Sequence, residues 1–316
     1  MQRHDEPILS PRNGRFILFP IHYVQLWTMY KESVANFWTP EDINLSVDRY
    51  HWIEMLTSRE RRYYSIVFSV LSGSYGIVTD NIASRLSREV HIPEARSFYA
   101  FQIAMQNIHG ETYSRILHTL IRSEDHRSRL LNSILSIQSI RAKAAWSIRW
   151  TTDTRSSFAT RLVAFASTNT VFFSSASASL YLLKKRRLMP GVTACNDLVY
   201  RDSGLHTHFA CVLHDHLRVK ATPSEIRLIV YEAVNLEKAS NRELLHDSIL
   251  GLDAMSMNMF VEYFANKLMY MLRQPPLYTN ARNPVRPLCY TVSYALIVRI
   301  VRFYEYVPSI PLARLR

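Results

Sequence analysis

The chain has 316 residues, 48% of them hydrophobic, and a formal net charge of +12. That length allows one large core or two small ones, and an apolar share this high with only 7 glycines excludes a disordered or collagen-like chain and suits long helices. The positive excess raises nucleic-acid and membrane partners. Neither is expected, because Lys and Arg are scattered and the one tight run, Lys184-Lys185-Arg186-Arg187, closes an apolar helix where cations meet the negative end of its dipole.

Taken in chain order, residues 1–50 read as an irregular N-terminal arm, with Pro7, Pro11, Pro20 and Pro40 spaced so that no long helix fits. The first residues, Met1-Gln2-Arg3-His4-Asp5-Glu6, carry no apolar run of the secretory kind. Thr57-Ser58-Arg59-Glu60 has capping-box spacing and opens a helix to about Arg88. A second helix runs from Pro93 to about Arg122, and a third from about Asp125 to Trp150. The fourth, from about Ser156 to Arg187, contains Leu162 to Leu183, 22 residues without charge. That is long enough to span a bilayer, but its many Ser, Thr and Asn residues make it a helix buried inside a bundle. Met189-Pro190-Gly191 breaks the chain before a fifth helix ending near Leu217. Thr222-Pro223-Ser224-Glu225 starts another, combining a capping box with proline at the first helical position. A last helix covers about Asp253 to Arg273 and stops at Pro275-Pro276. No strand run and no internal repeat stands out. The expectation is an all-α, single-domain bundle over residues 51–275, followed by a divergent segment over 276–316. Three cysteines, Cys195, Cys211 and Cys289, with no CxxC pair, indicate a reducing compartment and a cytoplasmic protein.

Two helical strings carry the chemistry, Gln106-Asn107-Ile108-His109 and Ser203-Gly204-Leu205-His206. A spacing of three sets the outer residues of each on one helix face, one turn apart. Ferritin-like di-iron proteins place Glu-x-x-His pairs in this way on two helices and single carboxylates on two others. Here both histidines are present and the glutamates are not. His208, His214 and His216 resemble a cluster with His206, but the two-residue step from His206 turns His208 away, so they read as a solvated face.

Further strings resemble one family, the small, radical-generating subunit of class I ribonucleotide reductase in its eukaryotic and large-DNA-virus form. They are Arg15-Phe16, Phe19-Pro20-Ile21, Phe37-Trp38-Thr39, Gly76-Ile77-Val78, Glu94 to Tyr99, Phe101-Gln102-Ile103, Asn107-Ile108-His109, Leu188-Met189-Pro190-Gly191, Arg201-Asp202 and Gly204-Leu205-His206. The resemblance covers about Pro7 to Asn283. It implies a ferritin-like homodimer whose di-iron centre oxidises a tyrosine, the radical then passing to a large subunit that reduces ribonucleotides. Position by position, it implies Tyr113 as the radical site, and His109, Asp202 and Trp38 as the relay to the surface.

The metal carboxylates implied by the resemblance are replaced by Tyr75, Gln106, Asn169 and Ser203, leaving His109 and His206 as remnant ligands. Ser177 stands where the family has a phenylalanine near the tyrosine. The family's acidic tail, which docks on the large subunit, is matched here by a basic, apolar ending, Ile310 to Arg316. Two ferrous ions carry four positive charges that neutral amides and imidazoles do not offset. An unpaired charge in a low-dielectric interior costs on the order of tens of kcal/mol, so no cofactor is expected. Three functions follow. The first is a catalytically impaired paralogue that dimerises or binds a partner, with any contact to the large subunit weakened. The second is an active metal-free radical subunit using Tyr113, and the third a decayed copy without a role.

Overall fold

The computed structural model describes residues 6–134, 136–245, 253–279 and 281. Helix starts follow the capping chemistry written in the chain. Thr57 accepts the Glu60 amide at 3.2 Å and the Glu60 carboxylate accepts the Thr57 amide at 2.7 Å, which satisfies two otherwise unpaired donors reciprocally. The same exchange occurs between Thr222 and Glu225, at 3.3 and 2.8 Å. Ser157 and Asp253 cap their helices through the amides of Thr160 and Ser256.

The α-helices in order are α1 Val24–Ala35, α2 Ser46–Tyr50, α3 Ser58–Asn81, α4 Ser87–Glu89, α5 Pro93–Leu120 and α6 Glu124–Ile134. They continue with α7 Gln138–Thr152, α8 Phe158–Val171, α9 Ser174–Lys185, α10 Pro190–His216, α11 Pro223–Leu244 and α12 Ala254–Met271. Short π-helical turns at His51–Met55 and Ile82–Leu86 extend α2 and α3. No strand occurs among the described residues, as expected. Helix α5 lies between α1 and α3, α8 packs on α10 and α11, and α12 closes over α8, α9 and α11. The run Ser58–Glu89 is long and apolar enough to cross a membrane by length and composition, and here it packs against α5 and α7.

Three expectations need correction. The N-terminal arm is not free of helix: α1 fits twelve residues between Pro20 and Pro40, a gap that proline spacing alone does not forbid. The run from Asp125 to Trp150 is two helices, because the Glu243 carboxylate of α11 accepts the amides of Gln138 and Ser139 at 3.2 and 2.8 Å and so caps a new start. The stretch from Ser156 to Arg187 also divides, at Phe172-Phe173. There the Ser174 hydroxyl donates to the Val171 carbonyl at 2.7 Å, competing with the helical ladder, and each phenylalanine ring seats on a different neighbour. Phe172 meets Trp146 edge-on at 5.3 Å, and Phe173 stacks on Tyr75 at 5.1 Å. Both halves are largely buried inside the bundle. The basic run sits at the end of α9, with Lys184 paired to Asp197 and Arg186 to Glu60.

Candidate functional site

Four helices bring the singled-out residues to one place. Helix α3 contributes Tyr75, α5 contributes Gln106, His109 and Tyr113, α8 contributes Asn169, and α10 contributes Ser203, His206 and Asp202. The steps 106, 109, 113 on α5 and 202, 206 on α10 keep these groups on inward faces. His109 is 0% exposed, Gln106 and Tyr113 1%, Tyr75 and His206 2%, so every interaction here is made without bulk water.

The relay residues form one connected group. Asp202 Oδ2 accepts the indole N–H of Trp38 at 2.7 Å and the Nε2–H of His109 at 3.1 Å. Asp202 Oδ1 accepts two bonds from Arg201, whose guanidinium also donates to the Asn36 carbonyl at 2.6 Å. The Trp38 and His109 rings stack at 5.7 Å and 20°. Burial alone would raise the Asp202 carboxyl, but the hydrogen bond from His109 and the charges of the neighbouring bases outweigh it and hold the group below the usual carboxylate range. Asp202 is therefore an anion, to which His109 Nε2 donates.

The other ring nitrogen of His109, Nδ1, is buried without a hydrogen-bond partner. The second imidazole, His206, lies with its ring centroid 6.1 Å from that of His109 and receives the Gln106 amide N–H on Nδ1 at 3.3 Å. Burial, then the neighbouring His109, push His206 down to about 3, so it is neutral. Gln106 Oε1 is buried and unpartnered. Asn169 turns its amide N–H back to the Phe165 carbonyl at 3.0 Å. Tyr75 occupies the remaining flank: its ring stands edge-on to His109 at 5.1 Å and parallel to Tyr113 at 6.0 Å and 6°. Burial drives both phenols well above their ordinary value.

The residues do not fit a di-iron centre. The side chains at these positions are two imidazoles, two amides, a phenol and a hydroxyl, whereas hard iron ions take oxygen anions. Among the described residues no group of three or more His, Cys, Asp or Glu side chains is arranged to hold a metal. Both oxygens of the one nearby carboxylate, Asp202, are committed to Trp38, His109 and Arg201.

Two features were not drawn from the sequence. The Tyr113 hydroxyl lies against the Cys195 thiol, which burial raises to about 12. The signal was available, since 195, 199, 202 and 206 share one face of α10. The second is that His208, His214 and His216 do not form a solvated face. His214 is 3% exposed and accepts the Ala221 amide, while His216 packs edge-on against Tyr23. Helix α10 is enclosed by α1, α8, α9 and α12, and the arm reaches over its C-terminal end, where Glu6 accepts the Arg218 amide. Ser177 bonds Asn196 on α10 at 3.2 Å and borders an open recess that also reaches Tyr113. The basic ending, Ile310 to Arg316, and Cys289 lie outside the described residues.

Comparison with known proteins agrees with this architecture. The family model described as ribonucleotide reductase, small chain, matches residues 15–284. The ribonucleoside-diphosphate reductase small chain of Neurospora crassa is 45% identical over 280 residues, covering 89% of this chain and 68% of that protein. The human reductase subunit M2 is 42% identical over 268 residues, covering 85% and 69%. The structure of the Rnr4 homodimer of Saccharomyces cerevisiae ribonucleotide reductase superposes with a TM-score of 0.83 at 32% identity, over 96% of this chain and 93% of that one. The chain belongs to the ribonucleotide reductase small-chain family.

Proposed function

We propose that this chain serves deoxyribonucleotide synthesis as a small subunit without a di-iron centre, acting through dimerisation and partner binding rather than as a source of the radical. The observation that carries the reading is the buried set of side chains: His109 Nδ1 and Gln106 Oε1 are unpartnered, and among the described residues no group of three or more His, Cys, Asp or Glu side chains is arranged to hold a metal. Neutral groups also spare the apo fold the repulsion of clustered carboxylates. The Saccharomyces relative is a homodimer, and a homodimer is the assembly proposed here, in the cytoplasm, with the large subunit as a weakened partner.

Restoring Tyr75→Asp, Gln106→Glu, Asn169→Glu and Ser203→Glu together tests the reading. Two divalent ions per chain should bind to the fourfold variant, with a gain in stability on metal addition. Each single change should bind fewer than one, since one added carboxylate leaves most of the charge uncompensated. A folded fourfold variant that binds no metal would show that these positions do not share a former ligand shell.

The unbroken Trp38–Asp202–His109 connection favours a second reading, a metal-free radical subunit using Tyr113. It requires metal-free nucleotide reduction with a large subunit that disappears in Tyr113→Phe, together with an intact mass or radical signal assigned to Tyr113. Neither is expected under the first reading.

A further inference from the structure

The chain turns back on itself where α12 ends. Arg273 takes a left-handed backbone with φ 57°, and the amides of Gln274 and Arg273 donate to the Met269 and Tyr270 carbonyls at 2.8 and 2.9 Å. This closure reverses the chain onto its own helix. Asn266 pins the returning residues: its Oδ1 accepts the amides of Leu277 and Tyr278 at 2.8 and 3.0 Å, and its N–H donates to the Tyr278 carbonyl at 2.7 Å. The Tyr278 ring lies against the Lys238 ammonium of α11 at 4.8 Å, with Glu262, Tyr231 and Arg227 near its phenol. Its hydroxyl is buried and has no hydrogen-bond partner among the described residues. The chain therefore passes Ala281 and leaves the described residues on the α11–α12 face. That face exposes large apolar side chains: Leu228 is 57% exposed, Tyr231 50% and Tyr270 76%. Leu228, Tyr231, Asn235 and Lys238 recur along one side of α11, and Tyr270 stands one turn past Asn266 on α12.

We propose that residues 282–316 dock on their own subunit, their apolar run over 288–298 covering Leu228, Tyr231 and Tyr270. Between Arg286 and Arg299 the sequence has no charged residue and includes Leu288, Tyr290, Val292, Tyr294, Leu296 and Ile297. A run of this kind and an exposed apolar face are each a liability in water and are relieved by covering one another. Reach is ample. Extended, the segment spans roughly 100 Å, whereas α11 is about 33 Å long. The tether begins at the edge of the face, which raises the local concentration of the segment to about millimolar. A second copy or a separate partner has no such advantage. Backbone carbonyls of the segment also supply the acceptor that the Tyr278 hydroxyl lacks. A segment placed in this way is engaged within its own subunit and is not free to reach a large subunit. The inference rests on where the chain leaves the bundle and is independent of whether the centre takes metal.

Photo-cross-linking of the full-length protein tests this, with a benzophenone amino acid in place of Tyr231 and the protein reassembled from equal amounts of unlabelled and nitrogen-15-labelled chains. Irradiation should join position 231 to a peptide from 282–316, both parts carrying the same isotope. Cross-links of mixed isotope would place the segment on a second copy and overturn the assignment to its own subunit. Cross-links only to other parts of the chain, or none, would overturn the docking itself. Trypsin gives an independent measure without the unnatural residue. Leu228→Asp sets a charge on an exposed position of α11, which the fold tolerates, and should speed cleavage after Arg299 and Arg302 by about tenfold or more. Equal cleavage rates in the parent and the variant would count against the proposal.

Discussion

At the scale of single residues, Asp202 is the group on which the site's order depends, because three donors from three parts of the chain end on it. Asp202→Ala strands the Trp38 indole, His109 and the Arg201 guanidinium in a dry interior. It should lower the unfolding free energy by about 3–5 kcal/mol in urea titration. Trp38→Phe should cost less, and its effect should shrink in the Asp202→Ala background, since the two share one bond. Acid should act in the same direction. His206 is held at about 3 when folded, against an ordinary value near 6.5. As pH falls below about 6.5 the unfolded chain therefore binds a proton the native state refuses, and stability declines by up to about 1.4 kcal/mol per pH unit. Asp202 adds to this: its stabilisation is present above the ordinary carboxyl range and is lost as pH falls through its lowered folded value. The pH dependence of the urea midpoint should be shallower between pH 6.5 and 4 for His206→Gln than for the parent; equal slopes would refute the assignment. Helical spacing made the pairs Gln106/His109 and Ser203/His206 legible, whereas Tyr75, Asn169, Tyr113, Trp38 and Asp202 were singled out only through the resemblance to the small-subunit family. The three histidines beyond His206 were misread because spacing says which way a side chain points, not what covers it.

At the scale of elements, the sharpest local constraint is the entry to α10. Met189 takes a left-handed backbone with φ 55°, and Asp48 on α2 accepts the amides of Gly191 and Val192 at 2.9 and 2.7 Å. A Cβ on Gly191 would collide with the Asn44 carbonyl oxygen and crowd the Asp48 carboxylate, so only glycine permits this approach. Gly191→Ala should therefore destabilise the fold by more than Asp48→Ala, which removes a cap worth about 1–2 kcal/mol. Thermal or urea unfolding of both variants ranks them, and a neutral Gly191→Ala would show that α2 and α10 can separate. Helix starts with a capping side chain in the chain itself, at Thr57 and Thr222, could be read directly. The break before α7 could not, because its cap is Glu243, over a hundred residues away. The division of α8 from α9 has a local cause in Ser174, yet its position depends on the separate seats of Phe172 and Phe173.

At the scale of the whole molecule, the fold is that of a ribonucleotide reductase small chain, and Tyr75, Gln106, Asn169 and Ser203 stand at the positions to which the resemblance assigns metal carboxylates. The homodimer proposed from the Saccharomyces relative is checked by light scattering at micromolar concentration, where twice the chain mass is expected and a monomer would contradict it. The central claim is that the retained histidines do not hold a di-iron centre without carboxylates, and the most direct measurement is iron per chain after anaerobic loading with ferrous iron and removal of the excess. Less than one iron per chain, with no tyrosyl radical signal after admission of oxygen, is the predicted result; two irons per chain would contradict it.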